Sequence, residues 1–366
     1  PPHTHTQELS SAASDVYKRQ PWGHPIVPLL NDFNNLDCAL PDAPRPESVE
    51  YPGGRDRSRW HMQHGIELFE RCFGCRPAGV WLSEGSISEG SLRILDDFGM
   101  QWTASGESVW RNSAQLSELD EEMITSKRGL FHPYRHAGSE CRIFFRDDGL
   151  SDLMGFEYRD WDASDAVANM ATHLKNINHF LSDTGDEAVI SIIMDGENAW
   201  EYYPDNGFHF LDRLYAAMVE DPLIEPVTFV DGVQLPAREL PSICPGSWVY
   251  GSFSTWIGEA GKNRAWDLLV DAKHDYDRVM SDPGIDAEQR ERVTRQLGIC
   301  EGSDWFWWFG DYNPEQSVRD FDELFRFQLR RLYQLLELAP PPALDIPISR
   351  GSNMPHRESG AMQRST

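Results

Sequence analysis

The sequence predicts an α/β fold of barrel type, followed by a helical region. Three observations lead there. Between about residues 61 and 230, strand-length apolar runs alternate with segments of helical period. Residues 188–194, AVISIIM, are apolar but for Ser191 and do not alternate, as in a parallel strand covered on both faces. Beyond about residue 240 the pattern is helical only.

Each element has a local reason. Residues 61–73 place Met62, Ile66, Phe69 and Phe73 on one helical face. A short apolar run, Ala78 to Leu82, reads as a strand. Residues 88–98 form a helix capped by Ser88 and stopped at Gly99. Residues 142–146, RIFFR, are a strand, and 164–182 suit a helix. After the strand at 188–194 come a helix at 207–219 and a strand at 226–230. Helices occupy 262–281, 286–298 and 315–337. In the last, Phe321, Leu324, Phe325, Leu329, Leu332 and Leu336 recur at helical spacing. Residues 1–20 share no pattern with the rest of the chain and read as a non-native leader, the native N-terminus having been lost. Residues 346–366 are polar and rich in Ser, Arg and Gly, and read as a disordered tail.

Composition excludes several classes. The net charge is −26, from 59 acidic against 33 basic residues. Nucleic acid needs basic partners, so it is not an expected ligand, and neither is an anionic membrane surface. No apolar run is long enough for a transmembrane helix. The six Cys are scattered, which predicts reduced thiols and a cytoplasmic protein. Cys72 and Cys75 form a lone CxxC with no second pair beside it. GxxxxGK[ST], GxGxxG and GxSxG are absent, which argues against phosphate-loop, dinucleotide and serine-nucleophile chemistry.

Two strand ends carry acids. Trp81-Leu82-Ser83-Glu84-Gly85 ends the first run, and Met194-Asp195-Gly196-Glu197-Asn198 ends the apolar strand. Barrel active sites lie at C-terminal strand ends. Two carboxylates converging there suit glycoside hydrolysis, where one attacks and the other moves the proton. The bland alternative is that Glu84 and Asp195 cap the helices after them. The chain has 13 Trp, and Trp81, Trp200, Trp256, Trp305, Trp307 and Trp308 lie near the acids or in the later cluster. Indole faces stack on sugar rings, although core packing claims some of them.

These motifs carry a resemblance. GVWLSEGS, MDGENAWEYYPDNG and EGSDWFWWFGD resemble motifs of glycoside hydrolase family 57, in its α-amylase/α-mannosidase-like branch. His24-Pro25-Ile26-Val27-Pro28-Leu29-Leu30, PGSW at 245–248 and WIG at 256–258 also fit. The resemblance spans about residues 21–345. It implies an incomplete (β/α)7 barrel over 21–240 and a helical domain over 241–345 that completes the active site. It implies a retaining mechanism on α-linked glucans, with Glu84 as nucleophile and Asp195 as acid/base. It assigns substrate binding to His24, Trp81, Glu197, Trp200, Trp256, Asp304 and Trp307. It calls for no cofactor and no metal, and leaves the oligomeric state unknown. The family's His-containing motif on its first barrel strand has no counterpart here. A barrel without that strand exposes a sheet edge, which predicts a chain that is unstable or inactive by itself.

Three rivals remain. A 4-α-glucanotransferase or branching enzyme would use the same two acids. A metal-dependent polysaccharide deacetylase would need a His site, for which His61 with His64 and His132 with His136 are the candidates; the plainer reading of the first pair is an exposed helix face. A non-catalytic carbohydrate-binding protein would keep the Trp residues and dispense with the acids.

Overall fold

The computed structural model describes residues 20–182, 188–196 and 199–351. Its sheet is mixed and five-stranded, in the order β1-β2-β4-β3-β5. The strands are β1 (Gly79–Val80), β2 (Trp102–Ser105), β3 (Tyr134–His136), β4 (Arg142–Phe145) and β5 (Arg238–Leu240). β1, β2 and β4 run parallel, so their C-terminal ends share one rim. β3 is antiparallel to β4 and parallel to β5. Among the described residues the sheet is open, with β1 and β5 at its edges.

The apolar run at 188–194 meets the sheet by one parallel bridge, Arg146 to Ser191. Arg146 N–H donates to Ser105 on one side, and Asp147 N–H donates to Ser191 on the other. The run therefore takes over the flank of β4 that β3 has left. Both faces are apolar, as its sequence requires. Ile193 packs with Trp81, Trp102 and Phe144, while Ile190, Ile192 and Met194 face the cluster around Met154 and Met170.

The helices follow their periodicity. Glu89–Asp97 opens with a Ser88–Ser91 capping box, and Gly99 lies just past its end at a φ of 67°. Gly54–Phe73 runs seven residues further back than its apolar face alone announces. Ala163–Leu181 and Phe208–Glu220 pack on each other and on one face of the 188–194 run. Ala260–Met280, Ala287–Cys300 and Glu315–Leu335 form the helical half. Its core also takes in Ile26, Leu29, Leu30 and Phe33, so the early segment is built into the later helices.

Three expectations are corrected. Residues 226–230 are not a strand: Thr228 and Asp231 close a capping box that starts the helix Phe229–Gly232. The thiols are not all reduced: Cys38 and Cys244 are joined, with Cα atoms 5.6 Å apart across 206 residues. His61 is not on an exposed face; it is wholly buried. No helix among the described residues is long and apolar enough to cross a membrane.

His61 belongs to a buried charge cluster around Glu301. Arg57 grips that carboxylate with Nε and Nη2 at 2.8 and 2.7 Å. His61 Nε2 donates at 2.7 Å, and the Tyr51 hydroxyl donates as well. Burial alone would raise the Glu301 carboxyl. Arg57 and His61 outweigh it and hold the carboxyl at about 2, below its ordinary 4.5. The lowered value means that the unfolded chain takes up the proton first as pH falls. The stability this cluster contributes is therefore present above about pH 4.5 and is lost toward pH 2. Replacing Glu301 by Gln is expected to remove about 3–5 kcal/mol and flatten that acid dependence. Denaturant midpoints at several pH values check this, and an unchanged midpoint in Glu301→Gln contradicts it.

Candidate active site

Glu84 sits four residues past the end of β1, on the rim of parallel strand ends. Its backbone is left-handed, with φ of 57°, and Gly85 comes next at 56°. Two such residues in succession turn the chain sharply out of the strand. Gly85 also has no room for a side chain, because a Cβ there would lie 2.6 Å from the Trp81 ring. The turn is tied down from below by Ser105, whose hydroxyl donates to the Gly85 carbonyl at 2.6 Å. Ser88, not Glu84, caps the next helix.

Two groups from distant segments meet the Glu84 carboxylate. Trp248 Nε1 donates to Oε2 at 3.0 Å, and His24 Nε2 lies 3.7 Å from Oε1. His24 is held by its other ring nitrogen, 2.7 Å from the Ser303 hydroxyl. Ser303 N–H in turn donates to the His24 carbonyl. Trp248 is brought in by a two-way bridge between Ile87 and Gly246, with the Cys38–Cys244 disulfide just before it. Glu84 and His24 each keep about a fifth of their side-chain surface open, at 21% and 23%. The carboxylate is thus held and still reachable.

Asp195 lies half-buried past the end of the 188–194 run, on the same rim. Arg146 links the two strand ends. Its Nε donates to the Ile193 carbonyl at 2.9 Å, two residues before Asp195, and its guanidinium stands 5.1 Å over the Trp248 ring. Asp148 and Asp152 balance its charge at 2.7 and 2.6 Å. Burial pushes the Asp148 carboxyl up to about 6, although Arg146 pulls the other way.

The remaining expected residues scatter. Trp81 is nearly buried, edge-on to Trp248 at 5.5 Å. Trp200 is half-buried against Tyr203. Trp256 has no exposed surface and belongs to the helical core, which leaves it no face for a sugar. Trp307 is half-buried 5.9 Å from Trp256. Asp304 is exposed, and together with His24 it lines a cavity of about 620 Å³ between β1 and the helix Gly54–Phe73. Glu197 lies outside the described residues. Trp248 and Arg146 are the groups that sequence reasoning passed over. The PGSW motif was the available signal for the first; nothing marked the second.

No group of three or more His, Cys, Asp or Glu able to hold a metal occurs among the described residues. His61 Nε2 is engaged by Glu301, and His64 Nδ1 lies 2.9 Å from the Trp60 carbonyl. His136 Nδ1 lies 3.1 Å from the Leu240 carbonyl.

The described residues define an α/β protein with a mixed sheet and an attached helical half. Within that class the chain belongs to glycosyl hydrolase family 57, whose family model matches residues 18–243. Solved structures share the fold. A GH57 branching enzyme from Thermococcus kodakaraensis matches with a TM-score of 0.61 and 16% identity, over 86% of this chain and 64% of that one. A GH57-type branching enzyme from Pyrococcus horikoshii matches with a TM-score of 0.57 and 15% identity, over 99% and 77%. An α-amylase from Thermotoga maritima matches with a TM-score of 0.57 and 16% identity, over 78% and 64%. The chain thus spans less than two thirds of the first and third of these proteins. No curated protein sequence matches it.

The turn at Glu84 generates a prediction. Gly85→Ala puts a Cβ against Trp81 at a backbone angle that Ala disfavours, and is expected to destabilise the fold by more than about 1 kcal/mol. Chemical denaturation reads this, and a midpoint equal to that of the parent contradicts it.

Proposed function

We propose that this chain carries the catalytic region of a retaining glycosidase acting on α-linked glucans. One observation carries the reading: an accessible carboxylate at a parallel strand end, Glu84, is oriented by an indole N–H and faced by a histidine, on the rim that also bears Asp195. Glu84 is the nucleophile. Its carboxylate attacks the anomeric carbon as Asp195 passes a proton to the departing glycosidic oxygen. A glycosyl ester on Glu84 results. Asp195, now ionised, takes a proton from water, whose oxygen replaces the Glu84 ester bond. Asp195 must begin protonated and Glu84 ionised. A retaining pair sets their carboxyl groups about 5–5.5 Å apart, whereas an inverting pair needs about 6.5–9.5 Å.

Substrate binding is assigned to His24, Trp81, Glu197, Trp200, Asp304 and Trp307 on the family resemblance; of these, His24 and Asp304 line one cavity. Trp256 is left out, since its ring is enclosed. The barrel of this family is incomplete here. Among the described residues β1 is an edge strand with an apolar cavity along it, which supports that reading. The catalytic half is residues 21–240 and the helical half 241–345.

A second reading keeps the same acids and lets a sugar hydroxyl take the intermediate in place of water. The names of the branching enzymes that share the fold favour weighing it. A deacetylase finds less support, because His61, His64 and His136 are bonded within the fold.

The test uses maltooligosaccharides and product mapping. Shorter chains only mean hydrolysis, and longer chains mean transfer. Glu84→Gln is expected to lower turnover by about three orders of magnitude or more while leaving the fold intact by circular dichroism. Full activity in that variant would sink the assignment.

A further inference from the structure

We infer that Trp248 is a positioning residue for Glu84, fixing the rotation of its carboxylate through the indole N–H. This role rests on the reading of Glu84 as the nucleophile and goes one step beyond it.

Trp248 is 164 residues from Glu84, yet two bonds join them: the side-chain bond at 3.0 Å and a backbone bond from Trp248 N–H to the Glu84 carbonyl at 3.2 Å. The same residue therefore holds both the main chain and the side chain of Glu84. Trp248 itself is hemmed in. Its backbone presses so closely on Gly106 that a Cβ there would lie 2.6 Å from the Trp248 Cα. Trp81 meets its ring edge-on, and the Arg146 guanidinium lies over it. The Cys38–Cys244 disulfide and the Ile87–Gly246 bridge hold the loop that carries it. An indole so confined presents its donor in a fixed direction.

A carboxylate rotates easily about its terminal bond. A nucleophile gains from having one oxygen anchored and the other aimed. Here Oε2 is the anchored oxygen, and Oε1 is the one on the His24 side. Among the described residues, His24 is a titratable group on the side of that oxygen. Arg146, with Asp148 and Asp152, is the charged set behind the indole. Indole carries a donor and no charge, so it orients the carboxylate without the strong attraction an Arg would exert on an attacking oxygen.

Trp248→Phe separates this role from packing, because it keeps an aromatic ring and removes the N–H. The expected result is kcat lowered about 10- to 100-fold with KM within about twofold. The acid limb of the pH profile should also move to higher pH, because a donor to the ionised form has been lost. Unchanged kcat and an unmoved acid limb would overturn the inference. A second measurement needs neither turnover nor the variant's folding. In nitrogen-15-labelled protein, the Trp248 indole resonance should shift with pH through an acidic midpoint, and that titration should vanish in Glu84→Gln. An indole resonance that ignores both pH and Glu84→Gln also overturns it. If the parent chain turns over no glucan, the indole titration alone decides the role of Trp248.

Discussion

Glu301 holds a negative charge where its side chain meets no water, and three side chains from an earlier part of the chain are recruited to keep it there. Arg57 supplies a two-pronged grip, while His61 and Tyr51 supply single donors. An isolated buried carboxylate would be prohibitive, so the four groups form a unit or none of it holds. The unit fixes more than itself. The other ring nitrogen of His61 bonds the Trp22 carbonyl, two residues before His24. Two residues after Glu301, Ser303 bonds His24 by both side chain and main chain. One buried charge thus locks the segment that presents His24 onto the helical half.

The rim is assembled from the other direction. Short parallel strands lead to Glu84, Ser105 and Arg146 at one rim, and the 188–194 run, bridged to Arg146 at Ser191, leads on to Asp195. Strands of two to four residues cannot carry such a site alone. Their ends are tied by side chain to main chain: Thr103 to Val80, Ser105 to Gly85, Arg146 to Ile193. The candidate nucleophile is then approached by the His24 segment on one side and the Trp248 loop on the other. The disulfide joins those two segments to each other as well. The overall charge of −26 is compatible with the proposed substrate, since a neutral polysaccharide is neither drawn nor repelled by it.

Much of the helical framework was legible in the sequence, because apolar spacing and caps are local signals. The helix after Ser88 and the helix over Glu315–Leu335 match their periodic patterns within two residues. The strand at 142–146 was legible too, but β2, β3 and β5 are too short to show a period. The error at 226–230 has a cause: Val227, Phe229 and Val230 favour strands by composition, while Thr228 and Asp231 at cap spacing decided the outcome. Glu84 and Asp195 stood out as candidates because each closely follows an apolar run. Which residues would meet Glu84 and Glu301 was not legible. Trp248 reaches across 164 residues and Arg57 across 244, and no local pattern encodes such pairs.

The proposed chemistry turns on Glu84 forming a covalent bond to sugar. The most direct measurement is trapping that bond with 5-fluoro-α-glucosyl fluoride, in which fluoride leaves and the slowed glycosyl ester persists. Peptide mass spectrometry then locates the adduct. The expected result is one added fluoroglucosyl group on the peptide containing Glu84, absent from Glu84→Gln. An adduct on another carboxylate, or none in a chain that turns over glucan, would contradict it.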